Sequence, residues 1–251
     1  MFDSVKDLIE VILQTAGIPC SIAVDVAKDG QIRWEEGFGW ANWDGRIKAS
    51  PYTLYSLASI TKPITATAIM LLHQQGRLDL DRPINDYLGA ARVNARGWDE
   101  RECTIRRILN HTSGLPLHYH FFYADEPYTR PPMDETIHRY ANLVRAPGER
   151  YCYSNLGYGI LDYVISRVSA KSYADFMQEE LFQPLGMPHA SVDIAPGLAK
   201  FAAERYGSDS VPYPFYVTDQ PGGSAVFCSA HGLARFGMFH LKERLPVRPD
   251  R

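Results

Sequence analysis

No stretch of this 251-residue sequence stays apolar long enough to cross a bilayer; Ile64 to Leu72 falls far short of the roughly 20 residues a spanning helix needs. There is no run of lysine or arginine, and the net charge is -3, which excludes the electrostatic footprint of a nucleic-acid or anionic-membrane binder. Cysteine is scarce. Cys20, Cys103, Cys152 and Cys228 show no C-x-x-C spacing, so they read as reduced, mostly buried thiols rather than a disulfide frame or a zinc site. Internal repeats and low-complexity segments are absent too. Near the N-terminus Val5, Leu8, Ile9 and Ile12 share a helical face, but Asp3, Asp7 and Glu10 interrupt them, which is wrong for a secretory signal; as written the chain reads as cytoplasmic.

What is present is a soluble globular composition, 45% apolar and 22% charged, on a chain long enough for a substantial core. Ile22, Val24 and Val26 alternate, Asp29-Gly30 supplies a tight turn, and Ile32 and Trp34 resume a second strand, so a β-hairpin is predicted. The period then turns helical. One helix starts at Ser59 and ends at Gly76, and another runs from a Thr104 cap towards Gly114. Ile137, Tyr140, Ala141 and Val144 form a stripe ended by Pro147-Gly148; Leu161, Val164, Ile165 and Val168 form another; Ser172 with Asp175 reads as a capping box, and Ser229 caps a last helix. Two strands alone make no stable sheet, so either further strands lie between residues 187 and 227 or the hairpin's partners are missing.

Ser59 and Lys62 stand three positions apart at the start of their helix. That spacing brings Cβ atoms within roughly 5–6 Å, so the amine can reach the hydroxyl. A serine hydroxyl needs a base within hydrogen-bond reach to become a nucleophile, and a desolvated lysine can be that base. Alone, S-x-x-K equally describes a capping serine beside a solvated lysine. A second motif, Tyr153-Ser154-Asn155, stands on a turn leading into a helix: the phenol can exchange protons with the serine, and the amide can hold the lysine and a substrate carbonyl. In isolation it too reads more simply, as a core aromatic and an N-cap.

Taken together, "LYSLASITKPITATAIMLLHQQGRLDLDRPINDYL", "TIRRILNHTSGLP", "APGERYCYSNLGYGILDYVISRVSAKSY", "LFQPLGM" and "GGSAVFCSAHGLARFG" resemble the serine β-lactamase-related family: class C β-lactamases, D-alanyl-D-alanine carboxypeptidases and family esterases. The resemblance is collinear over nearly the whole chain. It implies an α/β (α+β) fold of the β-lactamase/transpeptidase type, an antiparallel sheet flanked by helices with a large helical insert. The expected boundaries are residues 1–58 and 205–251 for a partial sheet domain and 59–204 for the helical domain carrying the motifs. It further implies Ser59 as acylated nucleophile, Lys62 as its activator, Tyr153 as general base or acid, Asn155 as substrate-orienting amide, and His111 of the H-T-S-G segment as structural. Chemistry would be covalent acyl transfer from a small ester, amide, peptide or lactam, with no metal and no diffusible cofactor.

Such proteins carry a third element, K-T-G or H-x-G, on a strand that donates a second oxyanion-hole N–H. The sequence has neither. The nearest candidate, His231-Gly232, falls at a helix start and reads as structural. The expectation is therefore a sheet incomplete towards the C-terminus, in a fragment or in a chain whose sheet a second chain completes, with turnover reduced by roughly 10²–10³ for one lost oxyanion donor. The rival function is a poorly active homologue serving binding or assembly. A metal site at His118 and His120 of "HYHFF" finds no third ligand at suitable spacing, and the neighbouring Tyr119, Phe121, Phe122, Tyr123 and Tyr128 read as packing or cleft wall.

Overall fold

The computed structural model describes residues 2–241. In chain order it begins with helix α1 (Asp3–Thr15), strands β1 (Ser21–Lys28), β2 (Gln31–Asn42), β3 (Ile47–Lys48) and β4 (Tyr55–Ser56), then helix α2 (Thr61–Gln74). Next come α3 (Ile105–Leu109), β5 (Phe121–Tyr123), α4 (Met133–Tyr140), α5 (Asn155–Ser169) and α6 (Tyr173–Met177). Strands β6 (Ala190–Val192), β7 (Tyr216–Thr218) and β8 (Val226–Cys228) precede the last helix, α7 (Ala230–His240). No helix among the described residues is long and apolar enough to cross a membrane.

Two compact units divide the chain: Met1–Ser56, Leu181–Pro214 and Phe227–Arg251 form one, and Leu57–Glu180 with Phe215–Val226 the other. Residues 181–204, grouped with the helices on sequence pattern alone, thus fall in the first unit, and 215–226 fall in the second. Strand pairing explains both shifts. β6 joins β8 in a sheet ordered β4-β8-β6, whereas β7 pairs antiparallel with β5.

In the first unit β1 and β2 form the predicted hairpin, with Asp29 and Gly30 both at positive φ as a tight two-residue turn requires. Further strands do lie beyond residue 187, but β8 pairs with β4, β6 with β8 and β7 with β5, and among the described residues the hairpin gains only the short β3. Phe38, Ala41, Leu54, Phe236 and Met238 are buried in this unit. Of the apolar face of α1 only Ile9 is buried, while Val5, Leu8, Val11 and Ile12 are exposed; Phe2, just before the helix, stacks on Trp34 with ring centroids 4.7 Å apart. Gly39 holds β2 close to the chain entering β1: its φ is +74° and a Cβ there would lie 2.3 Å from the Cys20 carbonyl oxygen. Both the backbone conformation and the clash oppose any side chain. Gly39→Ala is expected to lower stability by about 2 kcal/mol or more, read as a fall in the urea midpoint at unchanged slope.

In the second unit α2 and α5 pack on each other through fully buried faces. Ile64, Ala68, Ile69 and Leu72 come from α2, and Leu156, Ile160, Leu161, Val164 and Ile165 from α5. Side-chain caps begin the helices where the sequence places them: Thr104 accepts from the Arg107 N–H, Ser154 from Gly157 and Ser172 from Asp175. Two helices end early. α3 stops at Leu109 because Asn110 leaves helical geometry and His111 turns to φ 61°, and α4 stops at Tyr140, leaving Ala141 and Val144 outside it. The unit also holds the aromatic β5–β7 ribbon, where Phe121 and Tyr123 meet Tyr216 edge-on.

Candidate active site

Ser59 sits in a single 3₁₀ turn, Ala58–Ile60, immediately before α2. The turn is pinned on both sides of the serine: the Leu57 N–H donates to the Val226 carbonyl, and Thr61 Oγ1 accepts from the Val226 N–H. Ala58 adopts φ 45°, a left-handed conformation costing a residue with a Cβ about 1–2 kcal/mol. The result is an exposed Ser59 at the entry to the helix and a Lys62 buried in the helix's first turn.

Lys62 is only 4% exposed, yet every donor of its ammonium finds an acceptor. Nζ donates to Ser59 Oγ at 3.1 Å, to Asn155 Oδ1 at 2.8 Å and to the Gly223 carbonyl at 2.9 Å. It also lies 4.7 Å from the centroid of the Tyr153 ring and 5.6 Å from that of Tyr158. Burial lowers its pKa; the Tyr153 hydroxyl opposes that shift less strongly. Tyr153 Oη donates to Ser59 Oγ at 2.7 Å. Ser59, Lys62, Tyr153 and Asn155 are therefore brought together, with the serine oxygen receiving hydrogen bonds from both amine and phenol.

His111 holds the tyrosine loop. Its carbonyl accepts from the Cys152 N–H at 2.7 Å and its Nδ1 from the Ser154 N–H at 3.1 Å, while its ring lies 4.5 Å from that of Tyr153. Burial, helped by the Lys62 charge, pushes its pKa down to about 4, so the ring is neutral at pH 7 and Nδ1 keeps the lone pair that Ser154 needs.

One part of the site is given no role by motif reading: the peptide that accepts from Lys62. Pro221-Gly222-Gly223 packs so tightly against α5 that a Cβ on Gly222 would lie 2.4 Å from the Tyr158 carbonyl oxygen. Buried Asp162 accepts from the Gly222 N–H at 2.6 Å, and Thr65 Oγ1 donates to the Gly222 carbonyl at 2.7 Å with the Tyr173 hydroxyl 2.7 Å away. These contacts fix the next carbonyl, that of Gly223, on Lys62. The paired glycines are the only sequence signal of such an approach.

His118, by contrast, is taken up by packing: Nε2 lies 2.7 Å from Asp219 Oδ2 and the ring stacks on Tyr140 at 4.2 Å. His120 packs against Phe122, with ring centroids 4.9 Å apart.

The fold agrees with comparisons to known proteins. A class C beta-lactamase superposes with a TM-score of 0.81 at 22% identity, covering 99% of this chain and 66% of that one, and so shares its fold. The octameric penicillin-binding protein homologue from Pyrococcus abyssi gives 0.79 at 28% identity, over 97% of this chain and 57% of that one. Protein flp of Staphylococcus aureus strain N315 is 32% identical over 194 residues, 74% of this chain but 37% of its own length. Penicillin-binding protein 4* of Bacillus subtilis strain 168 is 33% identical over 175 residues, 66% of this chain and 36% of its own. This chain thus matches little more than a third of the length of these relatives.

The architecture is that of the class C beta-lactamases and penicillin-binding proteins. The Beta-lactamase family matches residues 5–251, and the chain belongs to that family.

Proposed function

We propose that this chain is a serine hydrolase that works through a covalent acyl-serine intermediate on small esters, amides, peptides or β-lactams, without a diffusible cofactor. The observation carrying this reading is the placement of Lys62 Nζ and Tyr153 Oη at 3.1 and 2.7 Å from one Ser59 oxygen. In its neutral form Lys62 has two N–H bonds and a lone pair. Asn155 Oδ1 and the Gly223 carbonyl take the two N–H bonds, which leaves the lone pair facing Ser59. As Oγ bonds to the substrate carbonyl carbon, its proton passes to the Lys62–Tyr153 pair, and the phenol returns a proton to the leaving atom. Water then attacks the acyl-serine by the reverse route, regenerating Oγ–H and releasing the acid. The Ser59 N–H, at the tip of its turn, is the first oxyanion donor.

Tyr153→Phe is expected to slow acylation about 10²-fold, the effect of losing one positioned proton carrier, while the adduct still forms at long times. Stopped-flow and end-point labelling separate the two. A second reading is a homologue that binds substrate-like partners but turns over poorly. Intact-mass measurement after incubation with a fluorophosphonate and with a fluorescent penicillin decides between them. Acylation of the peptide bearing Ser59 is expected. No adduct at any dose in folded protein would sink the hydrolase reading.

A further inference from the structure

Apart from the serine site, one cluster of side chains in the first unit combines three metal-ligand types. Asp25 on β1 stands directly opposite Glu35 on β2, so the hairpin register puts both carboxylates on one face. His231, in the first turn of α7, comes to the same place, and one ligand atom from each of the three lies within 4.8 Å of the others.

Two like charges facing each other across a hairpin are destabilising unless a cation lies between them. His231 Nδ1 meets Glu35 Oε2 at 2.8 Å, and the Tyr52 hydroxyl donates to Glu35 Oε1 at 3.3 Å, so Glu35 is compensated. Asp25 is not. Both its oxygens are sealed from water and neither has a hydrogen-bond partner, a costly arrangement for a carboxylate. Two orphaned oxygens beside an imidazole and a second carboxylate are what a divalent cation needs.

We propose that Asp25, Glu35 and His231 bind a first-row divalent cation of the zinc or manganese type, which ties the hairpin to the start of α7. Bonds of about 2.0–2.2 Å to nitrogen and oxygen put neighbouring ligand atoms roughly 3–3.5 Å apart, near the present Glu35–His231 separation of 2.8 Å. The three ligand atoms, all within 4.8 Å of one another, would close on such an ion by side-chain rotation. The imidazole selects against magnesium and calcium, which take oxygen ligands. Tyr52 holds the second Glu35 oxygen and tilts over the His231 ring at 4.9 Å, orienting two of the three ligands from behind. Entry is open, since the His231 and Glu35 side chains are 18% and 30% exposed.

The test is calorimetric titration of chelator-stripped protein with Zn²⁺ and with Mn²⁺, alongside thermal melts. One equivalent of at least one cation is expected to bind and to raise Tm by several degrees at saturation, with no comparable response to Mg²⁺ or Ca²⁺. Asp25→Asn and His231→Gln, shown to be folded in chelator by near-UV circular dichroism, should each lose that response. No stoichiometric binding of either cation, or variants that bind like wild type, would overturn the site and leave the cluster sharing a proton only. The wild-type Co²⁺ spectrum gives a check that needs no variant: a band from thiolate ligation also overturns the assignment, and its absence with cobalt bound supports it.

Discussion

Ser59→Ala is expected to abolish covalent labelling and to cut hydrolysis by at least about 10⁴-fold, because no second nucleophile stands in the cluster and loss of one member of a catalytic unit costs nearly as much as loss of all. The fold should be untouched. Ser59 is exposed and its oxygen only accepts hydrogen bonds, so removing it leaves Lys62 with Asn155 and Gly223 as acceptors. Melting curves superimposable on wild type, with a complete loss of the adduct, are the expected pair of results. An adduct that persists on the alanine variant would place the nucleophile elsewhere.

The second large effect belongs to Lys62. Replacement by methionine keeps the buried stem but removes the amine, and acylation is expected to fall about 10³-fold or more. Lys62→Arg should not restore it, because a guanidinium stays charged and offers no lone pair. Proton dependence adds a signature. Burial lowers the Lys62 pKa, so the neutral, basic form appears at a lower pH than for an exposed lysine. Activity in wild type should therefore rise with pH until Lys62 is deprotonated, and this rising limb should vanish in Lys62→Met. A limb unchanged in the methionine variant would show that another group titrates.

Much of this was open to reading from the residues alone, for local reasons. The hairpin follows from alternating Ile22, Val24 and Val26 and from Asp29-Gly30, which tolerate the left-handed turn. The helix starts follow from hydroxyl caps at Thr104, Ser172 and Ser229, each satisfied within its own first turn. The approach of Lys62 to Ser59 follows from a spacing of three, although Ser59 stands in a 3₁₀ turn before the helix, and the spacing alone carried no role. What escaped is non-local. That β8 pairs with β4 and β6 with β8, rather than either with the hairpin, depends on backbone geometry that alternation does not encode. The early end of α3 turns on the left-handed His111, whose bonds to residues 152 and 154 are made about forty positions away. Asp25, Glu35 and His231 span 206 positions, too far for any motif (231 − 25).

The way His111 grips the neighbours of Tyr153 has a practical consequence. The imidazole and its carbonyl bind the main chain at residues 152 and 154, so the loop's shape does not depend on the phenol's acidity. Support and reagent are separable here. Fluorinated tyrosines could be installed at this position to vary proton affinity stepwise on an unaltered frame, turning the loop into a calibrated dial for the proton-transfer step.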